Sequence, residues 1–202
     1  MTDRKANPYQ NLLNNINRYV RLTEAEADRL TSVIEFVSVK KRDFIIQPGR
    51  ICRYRSYIDR GAFRVYYADE EGKEHTVSIG VEDWFVTDFY SYITQTPAVN
   101  YAQALEDSVI LRMKYEDIEP LCREIHALSE YFRLTTEKAF AYSRRRVIAG
   151  ISQTAEERYQ VYLKKYPNIA GRVPQYVLAS YLGISPEFLS KIRARRAGNT
   201  GI

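Results

Sequence analysis

The chain has 202 residues, 45% of them apolar and 27% charged, a composition that excludes disorder throughout and fits one large domain or two small ones. No run approaches the ~18 apolar residues of a membrane span, and no apolar stretch follows the charged N-terminus, so the expectation is a cytoplasmic protein without a membrane partner. The net charge of +5 is unevenly placed: residues 144–202 carry 11 Lys/Arg against 3 Asp/Glu, and residues 1–143 carry 19 against 22, which points to a nucleic-acid-facing module at one end only.

Two short helices are expected first. Leu12, Leu13, Ile16 and Val20 share one helical face between Asn7 and Val20. Thr23 and Glu26 then form a capping box ahead of Ala27, Leu30, Val33 and Ile34. From Glu35 the period changes to that of strands. Phe36–Val39, Phe44–Ile46, Tyr54–Asp59, Ala62–Ala68, His75–Ile79, Val99–Leu105 and Val109–Met113 are short, β-branched or aromatic, and separated by turn residues. Their spacing predicts an antiparallel roll, barrel or jelly roll. Between Val81 and Leu105 an aromatic run, Phe89-Tyr90-Ser91-Tyr92, predicts a short inserted helix of the kind that builds a pocket. Its candidate effector contacts are Thr87, Tyr90, Tyr92, Ala98 and Tyr101, with core packing of the same aromatics as the alternative.

Tyr115–Leu121 reads as a short helix, and a longer one begins at or just before Ser129. Leu128, Tyr131, Phe132, Thr135, Ala139 and Tyr142 recur at helical spacing. They form either a dimer seam or a face packed on the chain's own shell. Arg144-Arg145-Arg146 closes that helix. It either complements the helix C-terminus or approaches phosphates.

Thr154 and Glu157 form a second capping box for a helix that ends before Pro167. The segment from Pro174 to Arg193 then reads as a helix-turn-helix. Val177, Leu178, Tyr181 and Leu182 are its first buried face, Ala179 allows close helix crossing, and Gly183 is the turn residue. Ser185 is the next N-cap, Pro186 opens the second helix, and Leu189 and Ile192 bury it. The outward residues Ser185, Pro186, Glu187, Ser190, Lys191, Arg193, Arg195 and Arg196 are the candidate DNA contacts, with polar residues at base edges and arginines at phosphates.

The order of shell, long helix and helix-turn-helix resembles the Crp/Fnr family of bacterial transcription regulators. The resemblance is carried by Leu178–Ile192, Pro48-Gly49, Asp59-Arg60-Gly61 and Glu70–Glu74. It implies an α+β chain divided into a cyclic-nucleotide-binding-like β-roll (1–115), a central dimerisation helix (116–149) and a winged-type helix-turn-helix domain (150–202). It also implies a homodimer on palindromic double-stranded DNA, with RNA polymerase and an unknown small-molecule effector as further partners. The family's nucleotide-binding members carry a Gly-Glu pair and a phosphate-binding Arg, where this chain reads Val86-Thr87 and Ala98. A response to cyclic AMP is therefore not expected. Cys52 and Cys122 are too few for a four-cysteine iron–sulfur cluster, and His75 and His126 lack metal spacing, so neither metal nor cofactor is expected. No nucleophile elbow or phosphate loop points to catalysis, and no catalytic residue is assigned. A binding module that no longer reads DNA remains the alternative function.

Overall fold

The computed structural model describes residues 7–199 apart from 168 and 170, and for 196–199 the backbone alone. Among the described residues, α1 (Gln10–Ile16) and α2 (Glu24–Ser32) precede β1 (Ile34–Val39), β2 (Phe44–Ile46), β3 (Tyr54–Arg60), β4 (Phe63–Ala68), β5 (Glu74–Gly80) and β6 (Phe85–Val86). Then follow α3 (Phe89–Thr94), β7 (Tyr101–Ala104), β8 (Ser108–Lys114), α4 (Tyr115–Glu124), α5 (His126–Ser152), α6 (Ala155–Lys165), α7 (Gln175–Leu182) and α8 (Pro186–Asn199). The expected strands all appear. β6 was not anticipated: it is two residues long and exists by pairing Ser56 with Val86 and Tyr57 with Phe85.

The strands form two four-stranded antiparallel sheets, ordered β1-β8-β3-β6 and β2-β7-β4-β5. Apolar side chains from the two inner faces, among them Ile58, Phe63, Ala102 and Ile110, make one core. Gly61 lies beside an irregularity in the β3–β8 pairing with φ +119, and a Cβ there would meet the Ser108 hydroxyl at 2.1 Å, so only glycine fits this turn. A second core joins the helices to the outer side of the first sheet: Leu12, Ile16, Leu30, Tyr57, Leu111, Ile118, Leu128 and Tyr131 are all buried in it.

α5 starts at His126, earlier than the sequence suggests, and continues past Arg144–Arg146 to Ser152. The face written as a possible dimer seam turns inward. Leu128, Tyr131 and Phe132 are buried in the chain's own core, and the Tyr131 hydroxyl donates to Asn15 Oδ1 at 2.8 Å. Thr135, Ala139 and Tyr142 continue the same face along an open cavity. Of the six residues read as a seam or a self-packed face, Leu128, Tyr131 and Phe132 are packed on the shell, whereas Thr135, Ala139 and Tyr142 are half-buried.

α6 to α8 form a third core from Tyr159, Tyr162, Val177, Leu178, Ala179, Leu182, Leu189 and Ile192, and Ala62, Val81 and Leu105 of the shell join it. β5 is an edge strand, and α7 packs along it. Ser180 Oγ donates to Glu74 O at 3.0 Å and accepts from Thr76 N at 2.8 Å, which satisfies backbone groups that an edge leaves open.

Candidate nucleic-acid interface

The turn between α7 and α8 is built by local chemistry. Pro174 stands at the N-cap of α7, and Gly183 closes it in the left-handed region at φ 71° and ψ 34°. Ile184 N reaches back to Ala179 O at 3.0 Å. Ser185 Oγ accepts from Phe188 N at 3.2 Å, so the expected N-cap is in place, with Pro186 as the first residue of α8. Leu189 and Ile192 face the core.

The remaining α8 positions face solvent. Ser185, Pro186, Glu187, Ser190, Lys191, Arg193 and Arg195 are all exposed, whereas the side chain of Arg196 lies outside the described residues. Among the described residues, Lys191, Arg193 and Arg195 have no carboxylate within 4.0 Å. Glu187 is held below the usual carboxylate range by its own backbone amide and the Ser185 hydroxyl, so it presents a charged acceptor in the first turn. Sequence reasoning missed three contributors. Gln175 Nε2 donates to Pro186 O at 3.1 Å and to Ser190 Oγ at 2.5 Å, which ties the two helices together and engages Ser190. Phe188 and Tyr176 are large and half-exposed near the same turn. Their helical neighbours 176–177 and 188–189 hide the signal, since both helices are apolar on more than one side.

The arginine run divides. Arg144 and Arg145 are exposed, but Arg146 turns inward. It donates to Val77 O at 2.7 Å, Thr76 O at 2.9 Å and Tyr181 O at 3.0 Å, and burial lowers its pKa. Arg172 likewise bonds carboxylates, Glu82 at 2.7 Å and Glu106 at 2.5 Å, and its pKa is raised by both. Both arginines fasten the α6–α8 region to the shell, through Tyr181 O and through residue 172 itself. The described part of the 168–173 connector contains no strand, and Asn168 and Ala170 lie outside the described residues.

The five candidate effector residues are not brought together. Tyr90 is exposed, and Tyr92 is buried with its hydroxyl on Glu119 Oε1 at 3.1 Å. Tyr101 stacks on Tyr66, its register partner in the same sheet, with ring centroids 4.9 Å apart. Ala98 is buried, its N–H donating to Arg50 O at 2.9 Å. Thr87 lines a cavity beside α5 to which none of the other four contributes. The carboxylate that matters in this stretch is Asp88, which the sequence reading passed over. It is the buried N-cap of α3, accepting from Ser91 N at 3.1 Å and Asn100 Nδ2 at 3.0 Å. Among the described residues no group of three or more His, Cys, Asp or Glu side chains could hold a metal, and no helix is long and apolar enough to cross a membrane.

Residues 36–124 match the family described as the cyclic nucleotide-binding domain. The chain is 23% identical over 189 residues to the fumarate and nitrate reduction regulatory protein of Vibrio cholerae, covering 86% of this chain and 74% of that one. Among solved structures, FixK2 of Bradyrhizobium japonicum superposes with a TM-score of 0.74 at 16% identity, over 83% of this chain and 86% of that one. A Crp/Fnr-family regulator of Eubacterium rectale superposes with a TM-score of 0.66 at 15% identity, over 88% and 85%. Residues 36–124 are thus similar to the cyclic nucleotide-binding domain, and over most of its length the chain shares the fold of these Crp/Fnr-type regulators.

Proposed function

We propose that this protein is a homodimeric regulator that reads double-stranded DNA through α8, acts in the cytoplasm, engages RNA polymerase when bound, and catalyses no reaction. The observation that carries the reading is the outer face of α8. Three cations, Lys191, Arg193 and Arg195, stand exposed and without carboxylate partners behind a capped, polar first turn. Cations so placed suit phosphates, and a carboxylate such as Glu187 is repelled by phosphate and suits a cytosine amino group at a base edge. In this reading residues 1–115 are the sensor, 116–149 the dimerisation helix and 150–202 the reader. Two-fold symmetry would set the half-sites about 34 Å apart.

The domain family implies a cyclic nucleotide, but the residues of this chain do not fit one. Ala98 stands where the family's phosphate-binding Arg is expected, and it is buried. A cyclic phosphate placed there would lose water without gaining a cation. A mobility-shift series on a site selected from random duplex tests both parts. Lys191→Ala with Arg193→Ala should weaken binding by about tenfold or more and flatten its salt dependence by about two phosphate contacts. Cyclic AMP should leave the shift unmoved. Unchanged binding in the double variant would remove α8 from the interface, and tighter binding with cyclic AMP would overturn the reading of the shell.

A further inference from the structure

A cavity of about 380 Å³ lies between α1, the turn from β5 to β6, α5 and the end of α6. That is the size range of small-molecule sites, ~300–1,000 Å³. One face of α5 lines it, through Phe132, Thr135, Ala139 and Tyr142. Trp84 and Tyr142 close one end, with ring centroids 5.7 Å apart, and Phe85 and Phe132 the other, at 5.9 Å.

The polar groups on this wall are unevenly satisfied. The carboxylates are committed: Asp83 to Arg18 at 2.6 Å and the Tyr57 hydroxyl at 2.7 Å, and Glu82 to Arg172 at 2.7 Å and Gly61 N at 2.8 Å. Of the cations, Arg18 is paired in this way, but Arg55, Lys138 and Lys165 are less fully engaged. Arg55 has a side chain only 15% exposed, and among the described residues its one hydrogen bond runs to Glu119 at 3.4 Å. Its guanidinium lies 4.7 Å from the centroids of both Tyr92 and Phe132, and Nε is buried without a partner. Of the five N–H donors of a guanidinium, the one on Nε is thus left unused in a poorly solvated place. Thr87 Oγ1, on the same wall, is also buried and unpartnered. Lys138 and Lys165 stand at the rim without a carboxylate within 4.0 Å among the described residues, Lys138 on the Tyr19 hydroxyl at 2.9 Å and Lys165 3.5 Å from the Tyr142 ring centroid. Burial and the nearby Arg145 and Lys138 lower the Lys165 pKa, as expected where positive charge lacks a counterion.

We propose that this cavity binds a small aromatic anion, with its carboxylate or phosphate on Arg55 and its ring between the Trp84–Tyr142 and Phe85–Phe132 pairs. A planar oxyanion supplies the acceptors that a guanidinium fork lacks. The ring meets an aromatic surface, where offset and edge contacts are favourable. The site shares Thr87 with the nucleotide cassette but not Ala98, and the rest of its wall comes from elsewhere, Arg55 from β3 and Phe132 and Tyr142 from α5. It spans shell and reader, because Thr87 belongs to the first and Lys165 and Tyr166 to the second.

Trp84 is the only tryptophan of the chain and lies on the cavity wall, so its fluorescence reports on this part of the molecule. The full-length protein is titrated with phenylacetate and phenyl phosphate, and with phenylacetamide, acetate and inorganic phosphate as controls. A saturable change is expected with one or both aromatic anions, and the stronger of the two identifies the anionic group. The neutral amide and the ring-free anions should bind about tenfold or more weakly, the scale of one charge-assisted hydrogen bond. Arg55→Gln should abolish the response, with Lys138→Gln/Lys165→Gln as the second variant should Arg55→Gln melt early. That pair should weaken binding several-fold at an unchanged melting temperature. No saturable response to either aromatic anion overturns the proposal. An equal response to phenylacetamide, or full binding in a folded Arg55→Gln protein, overturns it as well. The DNA mobility shift is independent of these outcomes, so failure here leaves the reading of α8 standing.

Discussion

Asp83 shows how single residues hold this fold together. It sits at a positive φ of 69° in the turn before β6, where its carboxylate collects the Tyr57 hydroxyl and the Arg18 guanidinium. Burial works against its ionisation, but these bonds outweigh burial, and its pKa is lowered. A carboxyl depressed in the folded state contributes stability that is present above its unfolded value, ~3.9, and lost as pH falls through the folded one. The melting temperature should therefore drop on acidification below about pH 4. Asp83→Asn keeps the shape and an acceptor for Tyr57 but cannot titrate, so its melting curve should be lower at neutral pH and flatter in acid. The same acid slope in variant and parent would show that other carboxylates, such as Glu82, carry the effect. The charge types were plain in the sequence, but their partners were not. In the sequence Arg146 reads as meeting either the helix C-terminus or phosphates, and Arg172 only adds to the basic count, because such a count cannot tell a phosphate partner from a carbonyl or carboxylate 69 or 90 positions away.

Elements whose cause is local were legible from sequence. Strands announced themselves by β-branched residues and turn glycines, and the α7–α8 turn by Gly183, Ser185 and Pro186, because each acts within a few residues of itself. The orientation of α5 was not legible. Both of its faces carry apolar residues, and only packing decides which is inside. The face of Leu128, Tyr131 and Phe132 meets the shell, which leaves Phe140, Val147, Ile148 and Ile151 in water, with Phe140 67% and Ile151 84% exposed. Phe140, Val147 and Ile151 follow each other at seven and four positions, a heptad spacing on one side of the helix. An exposed stripe of this kind is the part of α5 available to a second copy of the chain. Val147→Glu with Ile151→Glu should therefore convert a dimer to a monomer by sedimentation velocity, with little change in melting behaviour once protein concentration is matched. A double variant that stays dimeric would place the seam elsewhere. The aromatic run at 89–92 failed as a pocket signature for a related reason. A six-residue helix sends Tyr90 and Tyr92 to opposite sides, and Tyr101 lies on β7, paired with β4.

For the whole molecule, the fold makes the reader part of the shell's own completeness. β5 is an edge strand, and its exposed backbone groups are satisfied by α7 and by Arg146 from α5. Arg172 adds a second tether, a fork across Glu82 and Glu106. The two tethers share no residue, so they report on each other only if the reader moves as one body. Arg172→Ala tests this. The variant leaves Glu82 and Glu106 without their cation, but both are about one-third exposed and rehydrate, so the direct loss is modest, about 1 kcal/mol. If reader and shell separate as a unit, hydrogen exchange should quicken several-fold at the Thr76 amide, which Arg172 does not touch, because the Ser180 contact opens together with the ion pairs. Arg172→Lys should fall between, since it keeps the charge and loses the fork. Exchange that quickens only at Gly61, whose amide depends on Glu82, would mean that the tethers are independent and that the reader hinges locally rather than lifting from the edge.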